Sequence, residues 1–210
     1  MADLLAGAGA CIWVVHPLQT QSVTYICQRY EAMMGLFFLL TLYCFIQGCT
    51  SGHKRLWFDL AIIVCIIGMG TKEVMVSAPF IILCYDYVFL SGSFREMVAS
   101  RWKVHAALLV SIGVLVGLLL CSLARVIVVS SRFVHISPLI YLANQCKVIV
   151  YYLRLAVFPY PLCLDYSWPP SLDVIQLLPW IGIIAILFGS SVTTLVLKRP
   201  RGFLGLSFFA

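Results

Sequence analysis

The sequence predicts an all-α, polytopic transmembrane helical bundle, and three observations carry that prediction. Hydrophobic residues make up 62% of the 210-residue chain and charged residues 10%, with a mean hydropathy of +1.03. A water-soluble domain carries about a quarter of its residues as charges, so this chain has too little polar surface to coat a water-facing exterior. The apolar residues also come in continuous runs that approach the length needed to cross a bilayer, Val104–Leu123 being the clearest. Those runs do not alternate apolar with polar, as the strands of a membrane barrel would. About six spans plus a re-entrant or interfacial amphipathic helix are expected, in a single partial transmembrane domain over 1–210.

Taken in order, Leu4–Val15 is a short apolar helix ended near His16-Pro17, where proline disfavours continuation. Thr20–Glu31 is polar but keeps Val23, Tyr25 and Ile26, which places it at the interface. Ala32–Gln47 is a span, Gly48–Arg55 a basic turn, Leu56–Met69 the next span, and Gly70-Thr71-Lys72-Glu73 a short link. Val74–Leu90 follows, with Pro79 inside and Asp86 near its end. Ser91–Lys103 reads as a basic loop, Val104–Leu123 as a span, and Gln176–Leu197 as another, closed by Lys198-Arg199-Pro200-Arg201. Gly113-x-x-x-Gly117 has helix-contact spacing that also arises by chance in apolar helices. Gly202–Ala210 begins an apolar segment shorter than a span, and no basic leader precedes the first helix, so the chain is expected to be a piece of a longer protein.

Basic residues favour the cytoplasmic side of a membrane. Lys54, Arg55, Arg95, Arg101 and Lys103 therefore set two connections inside, and leave His16–Glu31 and Lys72-Glu73 on the periplasmic or lumenal face. If Pro138–Phe158 crossed the membrane, Lys198–Arg201 would fall outside, against the rule. Lys147 and Arg154, seven residues apart, share one side of a helix, and Tyr141, Tyr151 and Tyr152 suit a headgroup belt. Residues 124–173 thus read as one external region containing a partly embedded amphipathic helix.

The net charge of +6 does not point to nucleic acid, because the basic residues sit in short clusters between apolar runs and no basic face interleaves with aromatics. None of the nine cysteines forms a CxxC pair, and the histidines lack metal-finger spacing. Buried thiols acting as small hydrophobes account for the cysteines better than a disulfide among Cys27, Cys146 and Cys163.

Chemistry is expected where charge meets the outer face: Arg29 and Glu31, Lys72 and Glu73, and the set Arg125, Arg132, Lys147, Arg154 and Asp165. Cations outnumber acids there, which favours an anionic headgroup such as a lipid-linked phosphate, with Arg making bidentate contacts. Glu31 or Asp165 would then act as acid/base or share a divalent metal with that phosphate. Each group also has a plainer explanation. Arg29 and Glu31 suit an interfacial snorkelling pair, Lys72-Glu73 a charge-tolerant turn, Asp86 a cytoplasmic-edge anchor, and His16 a helix-ending residue.

His16-Pro17-Leu18-Gln19-Thr20-Gln21-Ser22-Val23-Thr24-Tyr25-Ile26-Cys27-Gln28-Arg29 resembles the HP-[IL]-Q-T-E-A-V-T-Y-I-x-Q-R stretch of bacterial membrane proteins that end in tetratricopeptide repeats. Gly70-Thr71-Lys72-Glu73 with Tyr85-Asp86 resembles their TKE…LLYD segment. Tyr152-Leu153-Arg154-Leu155 through Pro159, then Leu164-Asp165-Tyr166-Ser167-Trp168-Pro169, resembles their YLRLLxxP…LDYxxP segment. The pattern is similar to the eukaryotic transmembrane and tetratricopeptide-repeat O-mannosyltransferases, and so to the GT-C superfamily of multispan glycosyltransferases.

That resemblance implies a polyprenyl-phosphate sugar as donor and a protein hydroxyl as acceptor, on the outer face of a bacterial inner membrane or its equivalent. Arg29, Lys72 and Arg154 would contact the donor phosphate, Glu31 and Asp165 would give supporting acid/base chemistry, and His16, Gln21 and Glu73 would complete the polar surface. Two departures weigh on activity. Gln21 stands where the family has Glu, and the first external loop, where the family keeps its catalytic acid, is not in this sequence, nor are the repeats. A non-catalytic membrane scaffold that anchors a repeat domain is the alternative expectation. A transporter ranks behind both, because no charge is expected at mid-membrane.

Overall fold

The computed structural model describes residues 1–17, 28–126, 138–163 and 174–209. Every regular element among them is helical: α1 Ala2–Val15, α2 Arg29–Thr50, α3 Lys54–Met69, a 3-10 turn Glu73–Val76, α4 Ser77–Tyr85 running into a π turn Asp86–Leu90, α5 Phe94–Val110, α6 Ile112–Val126, α7 Pro138–Val157, α8 Val174–Val196 and α9 Pro200–Phe209. They form two compact units, one from Met1–Arg29 and Val134–Ile186, the other from Tyr30–Phe133 and Leu187–Ala210.

Four helical stretches are long and apolar enough to cross a membrane: Arg29–Thr50, Glu73–Leu90, Phe94–Cys121 and Ile175–Val196. Large apolar side chains face outward along them, including Leu36, Val110, Leu120 and Ile186, each more than half exposed. A surface of that kind is solvated by lipid rather than water. Two further expected spans are shorter. Leu4–Val15 is a short apolar helix, and the 16 residues of α3 rise only about 24 Å against a hydrocarbon core of about 30 Å.

The larger unit is organised around α3, which packs on α5 and α6. Its buried face is a stripe of small residues, Ala61, Cys65 and Gly68, spaced at one helical turn. Lipid tails are as apolar as a core, so helices in a membrane associate through close packing, and small residues permit it. A Cβ added at Gly68 would lie 2.7 Å from Met75 Cε and 3.0 Å from Phe37 Cβ, and one at Gly48 would lie 2.6 Å from the Phe58 ring. Phe45, Met69, Met75, Ile82 and Leu108 fill the rest of this core. Around Gly113 and Gly117, by contrast, there is open space, so their spacing marks no helix contact in this chain. Buried hydroxyls bond back into their own helices, Thr41 Oγ1 to Phe37 O at 2.6 Å and Ser111 Oγ to Leu108 O at 2.6 Å. Such bonds keep these hydroxyls satisfied where water is absent.

Ser91–Lys103 is not the loop expected from its charges, because helix α5 starts at Phe94. Ser93 Oγ accepts from Glu96 N at 3.2 Å while the Glu96 carboxylate accepts from Gly92 N at 2.9 Å. This S-x-x-E reciprocal cap starts a helix even in a basic segment. The backbone departs from helical geometry at Arg101 (φ −131°, ψ 19°), which sets the direction of the Arg101 side chain described below. At the other end of the chain, α8 stops in a Schellman arrangement. Lys198 takes φ 53°, Lys198 N donates to Leu195 O at 2.8 Å, and Arg199 N donates to Thr194 O at 2.9 Å. Lys198 Nζ then donates to Ser91 O at 2.9 Å and to Gly92 O, so the last span ends beside the turn between α4 and α5.

Candidate functional site

Two charged sites stand at opposite ends of the stretch Glu73–Leu90. At its start, extended backbone at Lys72 (φ −157°, ψ 149°) sends the lysine back toward the beginning of α2. Its ammonium donates to Glu31 Oε1 and lies 5.4 Å from the Tyr30 ring centroid. The two side chains are 23% and 30% exposed. Two of the segments singled out in the sequence, 70–73 and the start of α2, thus meet in one ion pair, and the charges cancel within it. Lys72 therefore presents less net positive charge than an isolated ammonium. Glu31 likewise does not fit a divalent cation while Lys72 occupies its carboxylate, and no metal step is derived from it.

The remaining expected residues are more dispersed. Glu73 is exposed at the head of the 3-10 turn. Arg29 and Arg154 are exposed and belong to the smaller unit. Arg154 lies in the last turn of α7, where a cation offsets the negative end of the helix dipole. In the same unit His16 Nε2 donates to Ala156 O at 3.1 Å, which ties the end of α1 to the end of α7. Gln21 and Asp165 lie outside the described residues. Among the described residues no three His, Cys, Asp or Glu side chains come together as a metal-binding group.

The second site is formed by Asp86, which stands at the end of its span as expected but is not an edge anchor. It is fully buried, at 0% exposure. Asp86 Oδ1 accepts from Arg101 Nη1 at 2.6 Å and from Ser91 Oγ at 2.7 Å, while Oδ2 accepts from His105 Nε2 at 2.9 Å. The π turn that opens at Asp86 closes through Ser91 N to Asp86 O at 2.9 Å, and this brings Ser91 back over the carboxylate. π turns of this sort recur at functional positions in helices. His105 is 5% exposed and stacks at 5.5 Å from Phe45. A carboxylate only accepts, so Nε2 carries the hydrogen, and Nδ1 is left buried without a partner.

A charge placed in an apolar bundle is costly unless it is paired and fully hydrogen-bonded. Asp86 meets both conditions, with donors from the π turn and from two successive turns of α5. It can fasten the ends of α4 and α5 together, but with every donor turned onto it the carboxylate is not an available base. The sequence held a signal for this cluster. Arg101 and His105 are spaced i, i+4, which puts two donors on one helix face, and that face had to find an acceptor. Reading 91–103 as loop removed the helix on which the spacing has meaning. No protein-family model, curated protein or solved structure matches this chain.

Proposed function

We propose that the chain is the membrane-embedded part of a GT-C-like glycosyltransferase. It would move a sugar from a polyprenyl phosphate to a protein hydroxyl on the periplasmic or lumenal face. The observation that supports this reading is the convergence of two motif segments on one end of the bundle: Lys72, from the TKE-like link, meets Glu31, three residues after the glutamine of the QR pair. A lysine and a carboxylate held at a helix mouth give a phosphate something to exchange with. An arriving donor phosphate competes with Glu31 for Lys72, and the released carboxylate turns to the acceptor hydroxyl as a proton-accepting support. Arg29 and Arg154 would add cationic contacts, and Asp165 a second supporting acid. The principal catalytic acid is not assigned to a residue of this chain.

The test is sugar transfer from a labelled polyprenyl-phosphate sugar in membranes that carry the intact protein. Arg29→Ala and Glu31→Ala should each abolish transfer while insertion is unchanged. Unchanged transfer in both variants would remove the assignment. A non-catalytic scaffold is the second reading, and one observation favours it: Lys72 and Glu31 already neutralise each other, as a purely structural pair does. On that reading the charge-swapped pair Glu31→Lys with Lys72→Glu keeps every measurable property of the protein, and no transfer is found in wild type.

A further inference from the structure

The larger unit holds a cavity of about 550 Å³ between the end of α4, helix α5 and the last turn of α8. Cys84, Tyr87, Trp102, Ala106, Leu195 and Val196 contribute to its lining, which is almost entirely apolar. In water such a space would be costly, but at the side of a membrane bundle a hydrocarbon chain fills it without loss. Its size suits a length of acyl chain rather than a compact metabolite with several polar groups.

What distinguishes the cavity from a gap between helices is the cation at its margin. Lys198 follows the lining residues Leu195 and Val196, and its ammonium lies 4.8 Å from the ring centroid of Tyr87, itself a lining residue. Two of its hydrogen bonds go to the carbonyls of Ser91 and Gly92. Carbonyls fix the position of an ammonium without cancelling its charge, and among the described residues no carboxylate lies within ion-pair distance of it. The backbone at Lys198 also stands in the left-handed region, at φ 53°, where a glycine would be at ease and a lysine costs about 1 kcal/mol or more. Arg199 and Arg201 follow directly, and Lys103, beside Trp102, lies 6.0 Å from that indole ring. An apolar slot, an interfacial Trp and Tyr, and a positioned uncancelled cation together match the parts of a phospholipid.

We propose that this cavity is a binding site for one anionic phospholipid of the leaflet at the α4–α5 turn. An acyl chain lies between α5 and the end of α8, and the phosphate is held at Lys198. The site lies past the opposite end of the Glu73–Leu90 stretch from the Glu31–Lys72 pair and does not depend on the sugar-transfer reading. The bound lipid would join α8 to α4 and α5 at the point where Lys198 already holds the turn.

Native mass spectrometry of the purified chain in mild detergent, titrated with phosphatidylglycerol or phosphatidylcholine, is the test. Wild type should retain one phosphatidylglycerol with about fivefold preference over phosphatidylcholine, the preference a single interfacial cation confers. Lys198→Gln should bind both lipids alike, and Ala106→Phe, which fills the slot, should retain neither. Equal binding of the two lipids by wild type overturns the headgroup assignment, and undiminished retention by Ala106→Phe overturns the cavity. If Ala106→Phe fails to fold, alkylation of Cys84 in the wild-type protein, read by peptide mass spectrometry, decides instead. Phosphatidylglycerol should slow it several-fold more than phosphatidylcholine at equal concentration, and equal rates overturn the site.

Discussion

The Asp86 carboxylate has no contact with solvent and accepts from three side chains at once. Removing the acid leaves the Arg101 guanidinium without its counter-charge, and breaking a buried pair in this way costs about 3–5 kcal/mol. Asp86→Ala should therefore lower the thermal midpoint in detergent sharply, whereas Asp86→Ala with Arg101→Ala should recover part of the loss. A simple sum of the two single effects would show that the pair does not interact. The Glu31–Lys72 pair is expected to behave oppositely. Both side chains keep contact with solvent, and exposed pairs are worth about 1 kcal/mol or less. Glu31→Gln and Lys72→Met should leave the midpoint almost unmoved, and a shift as large as that of Asp86→Ala would make this pair part of the core. The sequence marked both acids, but charge counting cannot tell a carboxylate at the lipid headgroups from one turned inward. That distinction rests on the π turn, which depends on how α4 meets α5.

At the scale of elements, the apolar runs were legible because a hydrocarbon solvent leaves little choice: every backbone N–H and C=O must be satisfied within its own segment. The expected spans Ala32–Gln47 and Val74–Leu90 each fall inside a helical stretch of slightly greater length, and Gln176–Leu197 overruns the end of its stretch, Val196, by one residue. What failed was the boundary at 91–103, where charge was read as loop although Ser93 and Glu96 carry a helix-starting cap. Ser93→Ala should cost about 1 kcal/mol and speed hydrogen exchange at Phe94–Met97, and unchanged exchange there would mean that packing alone holds this end of α5. Close approach between helices could not be read in advance either, since a glycine in an apolar run has no visible partner. Gly48 and Gly68 lie against Phe58 and Met75 with no room for a Cβ, whereas Gly113 and Gly117 face open space. Gly68→Ala should destabilise by about 1–3 kcal/mol, and Gly113→Ala should be neutral or slightly stabilising. Equal midpoints for the two variants would remove the close contact of α3 with Met75.

For the whole molecule, the direction of the last span carries the most information. Following the larger unit, α2 and α3 turn back at Ser51–His53, α3 and the Glu73–Leu90 stretch turn back at Gly70–Lys72, and that stretch and α5 turn back at Ser91–Ser93. Phe94–Cys121 then returns to the side of Lys72, and α8 finishes beside Ser91 through Lys198. Within the larger unit, Phe94–Cys121 therefore ends toward Lys72 and the last part of α8 ends toward Ser91. From charge alone, 124–173 is expected to return to the side on which it starts, because Lys198–Arg201 would otherwise sit on the face opposite to Lys54, Arg55 and Arg95. That expectation rests on where cations lie along the chain, and it needs no tertiary contact to be stated. Single cysteines at His53, Gly92 and Arg199 should react with a membrane-impermeant maleimide from one side of sealed vesicles, and cysteines at Thr71 and Ser171 only from the other. The background would lack Cys27 and also Cys11, Cys121 and Cys163, the exposed thiols among the described residues. Labelling of the Arg199 position from the side of Thr71 would place an odd number of crossings in 127–173, and would detach Lys198 from the turn that it is seen to hold.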